Sequence, residues 1–178
     1  MISQDSPMGL STKLLAYLPD KNNGFFIEAG ANDGISQSNT LFLESERDWH
    51  GLLIEPNKFK ALQCQQNRPH PKNIFSNCAL VDFEYELDYV RGYFSGVEYE
   101  DGLMGQAIEG NPAFDERDVR WQPYEPVSVP AKTLTSILDA HHIRDIDFFS
   151  LDVEGFELNV LNGLDFEKHR PRLICIEC

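Results

Sequence analysis

Acidic residues follow several apolar runs of this 178-residue sequence, at positions where their type and spacing could do chemistry. They are Glu28, Glu55, Asp152 with Glu154, and Glu177. Each comes at the end of a run of bulky residues typical of a buried strand. Because the carboxyl ends of parallel strands meet at one edge of a sheet, we expect these acids to converge on one crevice. Such a rim repels phosphate groups and attracts a cationic ligand.

A short polar turn framed by two glycines directly follows the first of these runs. The run from Phe25 predicts a strand, Gly30 and Gly34 frame the turn, and a helix is predicted from about Gln37 to Glu46. Three residues could cap that helix: Ser36, Ser38 or Asn39. A strand, a glycine turn and a helix start are how an open α/β sheet presents backbone N–H groups to a ligand.

Glu55 lies at the end of the second apolar run, about 20 residues after Gly34, the spacing at which an acid in such folds accepts hydrogen bonds from ribose hydroxyls. The glycine spacing differs from the dinucleotide fingerprint G-x-G-x-x-G, and the acidic rim would repel a pyrophosphate. A nicotinamide enzyme is therefore the weaker alternative. S-adenosylmethionine carries a ribose diol, a sulfonium and an ammonium but no phosphate, so the residues favour a methyl donor.

The remaining apolar patterns alternate between strand and helix. Strands are predicted at 51–55, 74–80, 147–152 and 173–177, with a strand or hairpin within 83–94 and another strand at 127–130. Helices are predicted at 11–18, 58–66, 133–141 and 156–161. Short connections between them indicate an α/β fold with a doubly wound, mostly parallel Rossmann-like sheet and helices on both faces.

The length fits one domain over residues 1–178, with an approach segment at 1–24 and an insertion at 96–126. That insertion shows no periodicity, and it is either a lid over the site or a solvated loop with no role in binding.

Charge and composition exclude several classes of partner. Fifteen basic against 29 acidic residues give a net charge of −14, which disfavours nucleic acid and membrane surfaces as partners. There is neither an apolar run of the roughly 18 residues needed to span a bilayer nor a signal-peptide pattern, so we expect a cytoplasmic protein. The Cys175-x-x-Cys178 pair lies in an apolar run, and we interpret it as strand packing and predict no metal there.

Five motifs in order resemble the FkbM-type methyltransferases, which are class I, S-adenosylmethionine-dependent enzymes mostly associated with O-methylation. The motifs are Phe-Ile-Glu-Ala-Gly-Ala-Asn-Asp-Gly from Phe26, Ser-Asn-Thr-Leu-Phe-Leu-Glu from Ser38, Trp-His-Gly-Leu-Leu-Ile-Glu-Pro-Asn from Trp49, Asn77-Cys-Ala, and Asp-Phe-Phe-Ser-Leu-Asp-Val-Glu-Gly-Phe-Glu from Asp147. The resemblance implies methylation of a hydroxyl on a small molecule or saccharide. Class I enzymes usually add an antiparallel pair of strands after the fifth strand, and since the sequence ends at Cys178 we expect a sheet without that pair, as in a fragment. The competing hypothesis is a non-catalytic binding module that keeps the fold.

The resemblance also implies roles for individual residues in binding S-adenosylmethionine. The methionine end would be held by Glu28, Gly30, Ala31, Asn32 and Gly34, and its carboxylate would meet Ser38 and Asn39 at the helix start. The ribose would be held by Glu55, with Pro56 beside it, and adenine would be flanked by Cys78 and Ala79. The methionine end or the acceptor would be faced by Asp152.

Two acids two residues apart, Asp152 and Glu154, are the candidate catalytic residues, since both could face the crevice from a strand end. We expect one of them to be the base that takes the acceptor's proton, or an anchor for the acceptor. The rival bases are His50, His141 and His142. An acid pair could also bind a divalent cation, but we predict no metal site.

Overall fold

Strands and helices alternate in the computed structural model, which describes residues 13–18, 20–94, 107–108 and 126–177. The helices are α1 (Leu41–Arg47), α2 (Lys58–Asn67), α3 (Leu134–Ala140) and α4 (Glu157–Asn162). The strands are β1 (Phe25–Ala29), β2 (His50–Ile54), β3 (Ile74–Ser76), β4 (Ala79–Leu80), β5 (Tyr89–Tyr93), β6 (Ala107–Ile108), β7 (Val127–Lys132), β8 (Phe148–Leu151) and β9 (Leu173–Ile176).

A five-stranded sheet in the order β3-β2-β1-β8-β9 forms the centre of the fold. Its strands pair in parallel throughout, and β1 lies between β2 and β8. The chain winds outward from β1 to β3 and later returns to the other side of β1 as β8 and β9. The strand order therefore reverses between β1 and β8, which is where open α/β sheets bind ligands. The predicted doubly wound, mostly parallel sheet is confirmed.

Alternation along the strands gives each face of this sheet its own core. Ile27 and Ala29 of β1 pack on the face covered by α3 and α4, together with Leu138 and Val160. Phe26 lies on the opposite face, with residues of α1 and α2. Since neighbouring strand residues point to opposite faces, Glu28 shares the α1 and α2 face with Phe26.

A second sheet has the order β4-β7-β5-β6, in which β5 runs antiparallel to both β6 and β7. It contains the second half of the single strand that the sequence predicted over 74–80. That prediction is wrong in one respect, because β3 belongs to the central sheet and β4 to the second one. The break falls at Asn77, whose side-chain amide donates to the carbonyl oxygens of Glu55 and Pro56, both at 2.8 Å. These hydrogen bonds turn the chain away from β3.

Helix α1 begins at Leu41, later than the predicted start at Gln37. Gln37 has a left-handed φ of 61°, which is incompatible with a right-handed α-helix. The Ser38 hydroxyl accepts hydrogen bonds from the backbone N–H groups of Thr40 and Leu41, at 3.2 and 3.1 Å. The residues before Leu41 therefore form a turn, and Ser38 orders its last step.

The approach segment and the insertion lie largely outside the described residues. Of the insertion, Ala107–Ile108 is described and pairs with β5, so the choice between a lid and a solvated loop stays a prediction. The single-domain assignment of residues 1–178 stays a prediction as well. In the described part of the chain, no helix combines the length and the apolar character needed to cross a membrane.

Candidate functional site

An open crevice lies at the carboxyl ends of the central strands, where the strand order reverses. Its empty space, counted together with open solvent at its mouth, is about 310 Å³. It is lined by residues in or next to β1, β2 and β4, by the segment after β8 and by α4: Ala29, Gly30, Ile54, Pro56, Cys78, Ala79, Leu80, Val153, Phe156 and Val160. The lining is apolar, as suits a flat aromatic group such as a nucleobase.

The structure brings together Gly30, Pro56, Cys78 and Ala79, which the sequence assigned to the cofactor. Burial raises the pKa of the Cys78 thiol, so this side chain stays neutral and acts as a small apolar wall. The sequence did not single out Val153 and Phe156, which complete the crevice from the other side of the sheet reversal. The sequence shows that both residues are apolar. Their position opposite Pro56, however, depends on the order of the strands in the sheet, which local patterns do not reveal.

Gly30 lets two strand ends approach closely. Its φ is +83°, and a Cβ added there would lie 1.8 Å from the backbone oxygen of Asp152. Its N–H and that of Ala31 both donate to the carbonyl oxygen of Ile54 at 3.0 Å. Gly30 therefore packs against Asp152 across the sheet reversal, as well as providing the backbone conformation of a turn.

Glu55 lies buried at the carboxyl end of β2, and its carboxylate joins two loops. One oxygen accepts from the N–H of Asn32 in the glycine turn, and the other from the N–H of Asn57, both at 2.8 Å. Burial raises the pKa of Glu55 to about 7, and these two N–H groups oppose that rise. Each carboxylate oxygen has a second lone pair, so the group can still accept hydrogen bonds from a diol.

The Glu28 side chain is directed into the protein, away from the crevice lining. Its carboxylate accepts from the Thr40 hydroxyl at 2.6 Å and from the Asn39 backbone N–H at 2.8 Å. It also accepts from the Ser38 hydroxyl, and it lies 3.3 Å from Nη1 of Arg68. The predicted meeting of Glu28 with the other strand-end acids is therefore not seen. Its contact with the cofactor stays a prediction.

Ser38 and Asn39 are likewise engaged within this turn. Besides its N–H bond to Glu28, Asn39 donates from its side-chain amide to the Ser150 hydroxyl at 3.0 Å. The α1 helix that they precede has only seven residues, so it contributes a small dipole. Contact of these two residues with a carboxylate stays a prediction.

The acids Asp152, Glu154 and Glu177 form one cluster, with carboxylate oxygens within 4.8 Å of one another. The pKa of Asp152 is raised to about 8, first by burial and then by a hydrogen bond to Glu177 and the charges of neighbouring acids. Burial and the charge of Glu177 also raise the pKa of Glu154. Such a cluster holds a proton near neutral pH, and it could exchange that proton with a substrate.

The segment after β8 that presents this cluster is braced by Glu157. One carboxylate oxygen of Glu157 accepts from the N–H groups of Val153 and Gly155, both at 3.1 Å. Glu154 and Gly155 have positive φ values of 55° and 97°, so the chain turns sharply there. The sequence showed Glu157 within a motif, but its bracing role required the structure.

The three candidate histidine bases lie at the other edge of the sheet. His50 is the first residue of β2, and His141 and His142 follow α3 before the start of β8. Because the strands are parallel, their starts lie opposite the carboxyl ends that form the crevice. Of the five predicted or rival bases, only Asp152 and Glu154 follow a carboxyl strand end at the crevice.

Comparison with protein families finds one described as Methyltransferase FkbM domain, which matches the chain over residues 28–178. Comparison with curated proteins and with solved structures finds no match.

Proposed function

The chain belongs to the methyltransferase FkbM family, and from that premise we propose that it transfers a methyl group from S-adenosylmethionine to a hydroxyl of a small molecule or saccharide. One observation carries the proposal: Ile54 and Pro56, the two residues that flank the buried Glu55 in the chain, line the apolar crevice at the sheet reversal. Adenosine matches this arrangement, because its flat base suits an apolar crevice and its ribose diol suits a carboxylate. Cytoplasmic location stays a prediction.

The residues present fit this cofactor. Pro56, Cys78, Ala79 and Phe156 would enclose adenine, since all four line the crevice. Glu55 would accept hydrogen bonds from the ribose hydroxyls while it keeps its bonds to Asn32 and Asn57. The close approach of Gly30 to Asp152 leaves backbone rather than side chains beside the turn, where the methionine end would lie.

When bound, S-adenosylmethionine supplies an electrophilic methyl group on its sulfonium. The chain's part is to hold the acceptor in line and to take its hydroxyl proton. Asp152 is suited to that step, because its pKa of about 8 allows it to accept a proton and release it at physiological pH. The nearby carboxylates of Glu154 and Glu177 would orient the hydroxyl groups of an acceptor, or the ammonium of the donor.

Calorimetric titration with S-adenosylmethionine and S-adenosylhomocysteine tests the cofactor. We expect saturable binding of both by the native chain, and the same binding by Glu46→Gln, which changes an exposed acid on α1. No binding at millimolar ligand would contradict the proposal and favour the non-catalytic module.

Asp152→Asn tests the base. We expect it to bind S-adenosylhomocysteine while its production of that compound from S-adenosylmethionine, with a panel of hydroxylated acceptors, falls about 100- to 10,000-fold, the usual contribution of a general base. Glu46→Gln is again the control. Full turnover by Asp152→Asn would show that another group takes the proton.

A further inference from the structure

We propose that Arg68 is a positioning residue that holds the turn between β1 and α1 in the shape that binds the methionine end of the cofactor. This inference rests on the proposed function. Arg68 lies at the end of α2, some thirty residues after the turn, and its side chain is fully buried. Arginine is rarely buried unless its charge is paired, so its surroundings indicate its role.

The guanidinium contacts the turn at several points along its length. Nη1 donates to the carbonyl oxygen of Gly34 at 3.2 Å and to the Ser38 hydroxyl at 3.1 Å. Nη2 donates to the Thr40 hydroxyl at 3.1 Å. Nη1 also lies 3.3 Å from Glu28, the strand residue to which that hydroxyl donates. One rigid planar group thus joins the strand end, the middle of the turn and the start of the helix.

The charge of Arg68 is balanced from two sides. Nε lies 3.0 Å from the carboxylate of Glu44 on α1, and Glu28 pairs with Nη1. The guanidinium carbon lies 5.3 Å from the centre of the Phe26 ring, within range of a cation–π interaction. Phe26, Glu28 and Glu44 therefore hold the arginine in place. A side chain held in this way restrains the turn that it contacts.

The turn needs such support because its backbone is strained. Gln37 has a positive φ of 61°, which is costly for a residue of this type, and Asn32, whose type tolerates this region better, has a φ of 48°. Gly34, at φ +80°, lies so near Arg68 that an added Cβ would be 2.7 Å from its Cγ. The arginine stem and head therefore constrain both the path and the spacing of the turn.

Stability alone does not explain a buried ion network of this kind. Replacing buried ion pairs with apolar residues of similar volume is often neutral or stabilising, because desolvation offsets the attraction between the charges. Lysine has a single ammonium and cannot reproduce contacts with Gly34, Ser38 and Thr40 in one plane. The geometry of the contacts, which converge on the proposed cofactor turn, is what requires arginine.

The test compares two ligands that differ only at the methionine end. Arg68→Lys and Arg68→Met are titrated by calorimetry with S-adenosylhomocysteine and with 5′-methylthioadenosine, which lacks the amino-acid part. We expect S-adenosylhomocysteine to bind about tenfold more weakly or worse, as loss of about 1.4 kcal/mol implies. Binding of 5′-methylthioadenosine should stay within about twofold of the native value, which is less than about 0.4 kcal/mol.

Leu138→Ala is the matched control, because this buried residue of α3 lies on the other face of the sheet and outside the crevice lining. It should lower the melting temperature and leave the ratio of the two affinities unchanged. Thr40→Val removes the hydrogen bonds of this hydroxyl with both Arg68 and Glu28, with little change in volume. It should move the ratio in the same direction as Arg68→Lys, and it serves if the arginine variants do not fold.

Three results would overturn the inference: a native affinity ratio in folded Arg68 variants, equal weakening of both ligands, or a native ratio in Thr40→Val when the arginine variants do not fold. If the native protein binds neither ligand, the proposed function itself fails, and the two failures are thereby distinguished.

Discussion

At the scale of single residues, the acids of this protein have three different roles although the sequence presents them alike. Glu28 accepts hydrogen bonds inside the turn, and Glu55 links two loops beside the crevice. Asp152 shares a proton-holding cluster with Glu154 and Glu177. The role of each acid follows from its surroundings, because hydrogen-bond donors hold Glu28 and Glu55 in place, whereas burial and neighbouring acids raise the pKa of Asp152.

Cofactor affinity should depend on the protonation of Glu55. Because the pKa of Glu55 is about 7 and the carboxylate is the better acceptor for ribose hydroxyls, binding of S-adenosylhomocysteine should strengthen as the pH rises from 6 to 8. Glu55→Gln should bind about 10- to 100-fold more weakly at pH 8, as loss of a charge-assisted hydrogen bond implies. Calorimetry at a series of pH values measures both effects.

The difference between native and Glu55→Gln titrations isolates this residue from the Asp152 cluster, which also titrates in this range. Glu46→Gln should retain the native pH dependence, since that acid is exposed on α1. An unchanged pH profile in Glu55→Gln would assign the dependence to another group.

At the scale of elements, the site is made from two sharp turns that follow neighbouring strands. The turn after β1 is held by Arg68 and Glu28, and the one after β8 by Glu157. They meet where Gly30 approaches the backbone of Asp152. A change at this point should affect both turns, whereas a change elsewhere in either turn should remain local.

Alanine substitutions at two glycines distinguish the cost of a steric clash from the cost of a left-handed backbone conformation. Both Gly30 and Gly155 have positive φ, but an added Cβ would strike the Asp152 carbonyl at Gly30 and meet nothing within 4 Å at Gly155. Gly155→Ala should cost about 1–2 kcal/mol of unfolding free energy, the penalty of a left-handed conformation. Gly30→Ala should cost about 4 kcal/mol or more and weaken cofactor binding, because backbone atoms must move.

Urea unfolding followed by circular dichroism measures the two free energies, and calorimetry measures binding. Equal costs for the two variants would mean that the contact between β1 and β8 relaxes easily and that conformation alone explains Gly30.

At the scale of the whole molecule, negative charge opposes folding where acids are gathered. The sequence carries a net charge of −14, and part of the acidic charge is concentrated at one edge of the central sheet. The pKa values of Glu55 and Asp152 are raised in the folded protein, so the folded state binds more protons than the unfolded state in this pH range. Stability of the unliganded protein should therefore fall as the pH rises.

The pH window follows from these pKa values. Loss of stability should begin above the ordinary pKa values of 3.8 and 4.5 and be complete above about 8. Glu177→Gln removes a charge from the Asp152 cluster, so it should raise the melting temperature at pH 8 by more than at pH 4. Thermal unfolding across this range measures the effect.

Glu167→Gln is the control, because it removes an exposed acid outside the cluster. If it stabilises the protein at pH 8 as much as Glu177→Gln does, the effect comes from net charge and not from the cluster.

The sequence by itself determined the order of strands and helices and the doubly wound sheet, through local patterns: hydrophobic periodicity, glycines at turns, and the rule that parallel strands end at one edge. The crevice residues Pro56, Cys78 and Ala79 were assigned through the resemblance of the motifs to a family. The family motifs pointed to methyl transfer for the same reason, since they too are short and local.

Only the tertiary structure decided where the acidic side chains point and what holds them. Glu28 turns to the α1 and α2 face, where a guanidinium forty residues later in the chain meets it. The predicted strand over 74–80 divides between two sheets because Asn77 binds the carbonyls after β2. These outcomes depend on contacts between residues far apart in sequence, and a local pattern contains no information about which distant donor will reach a given carboxylate.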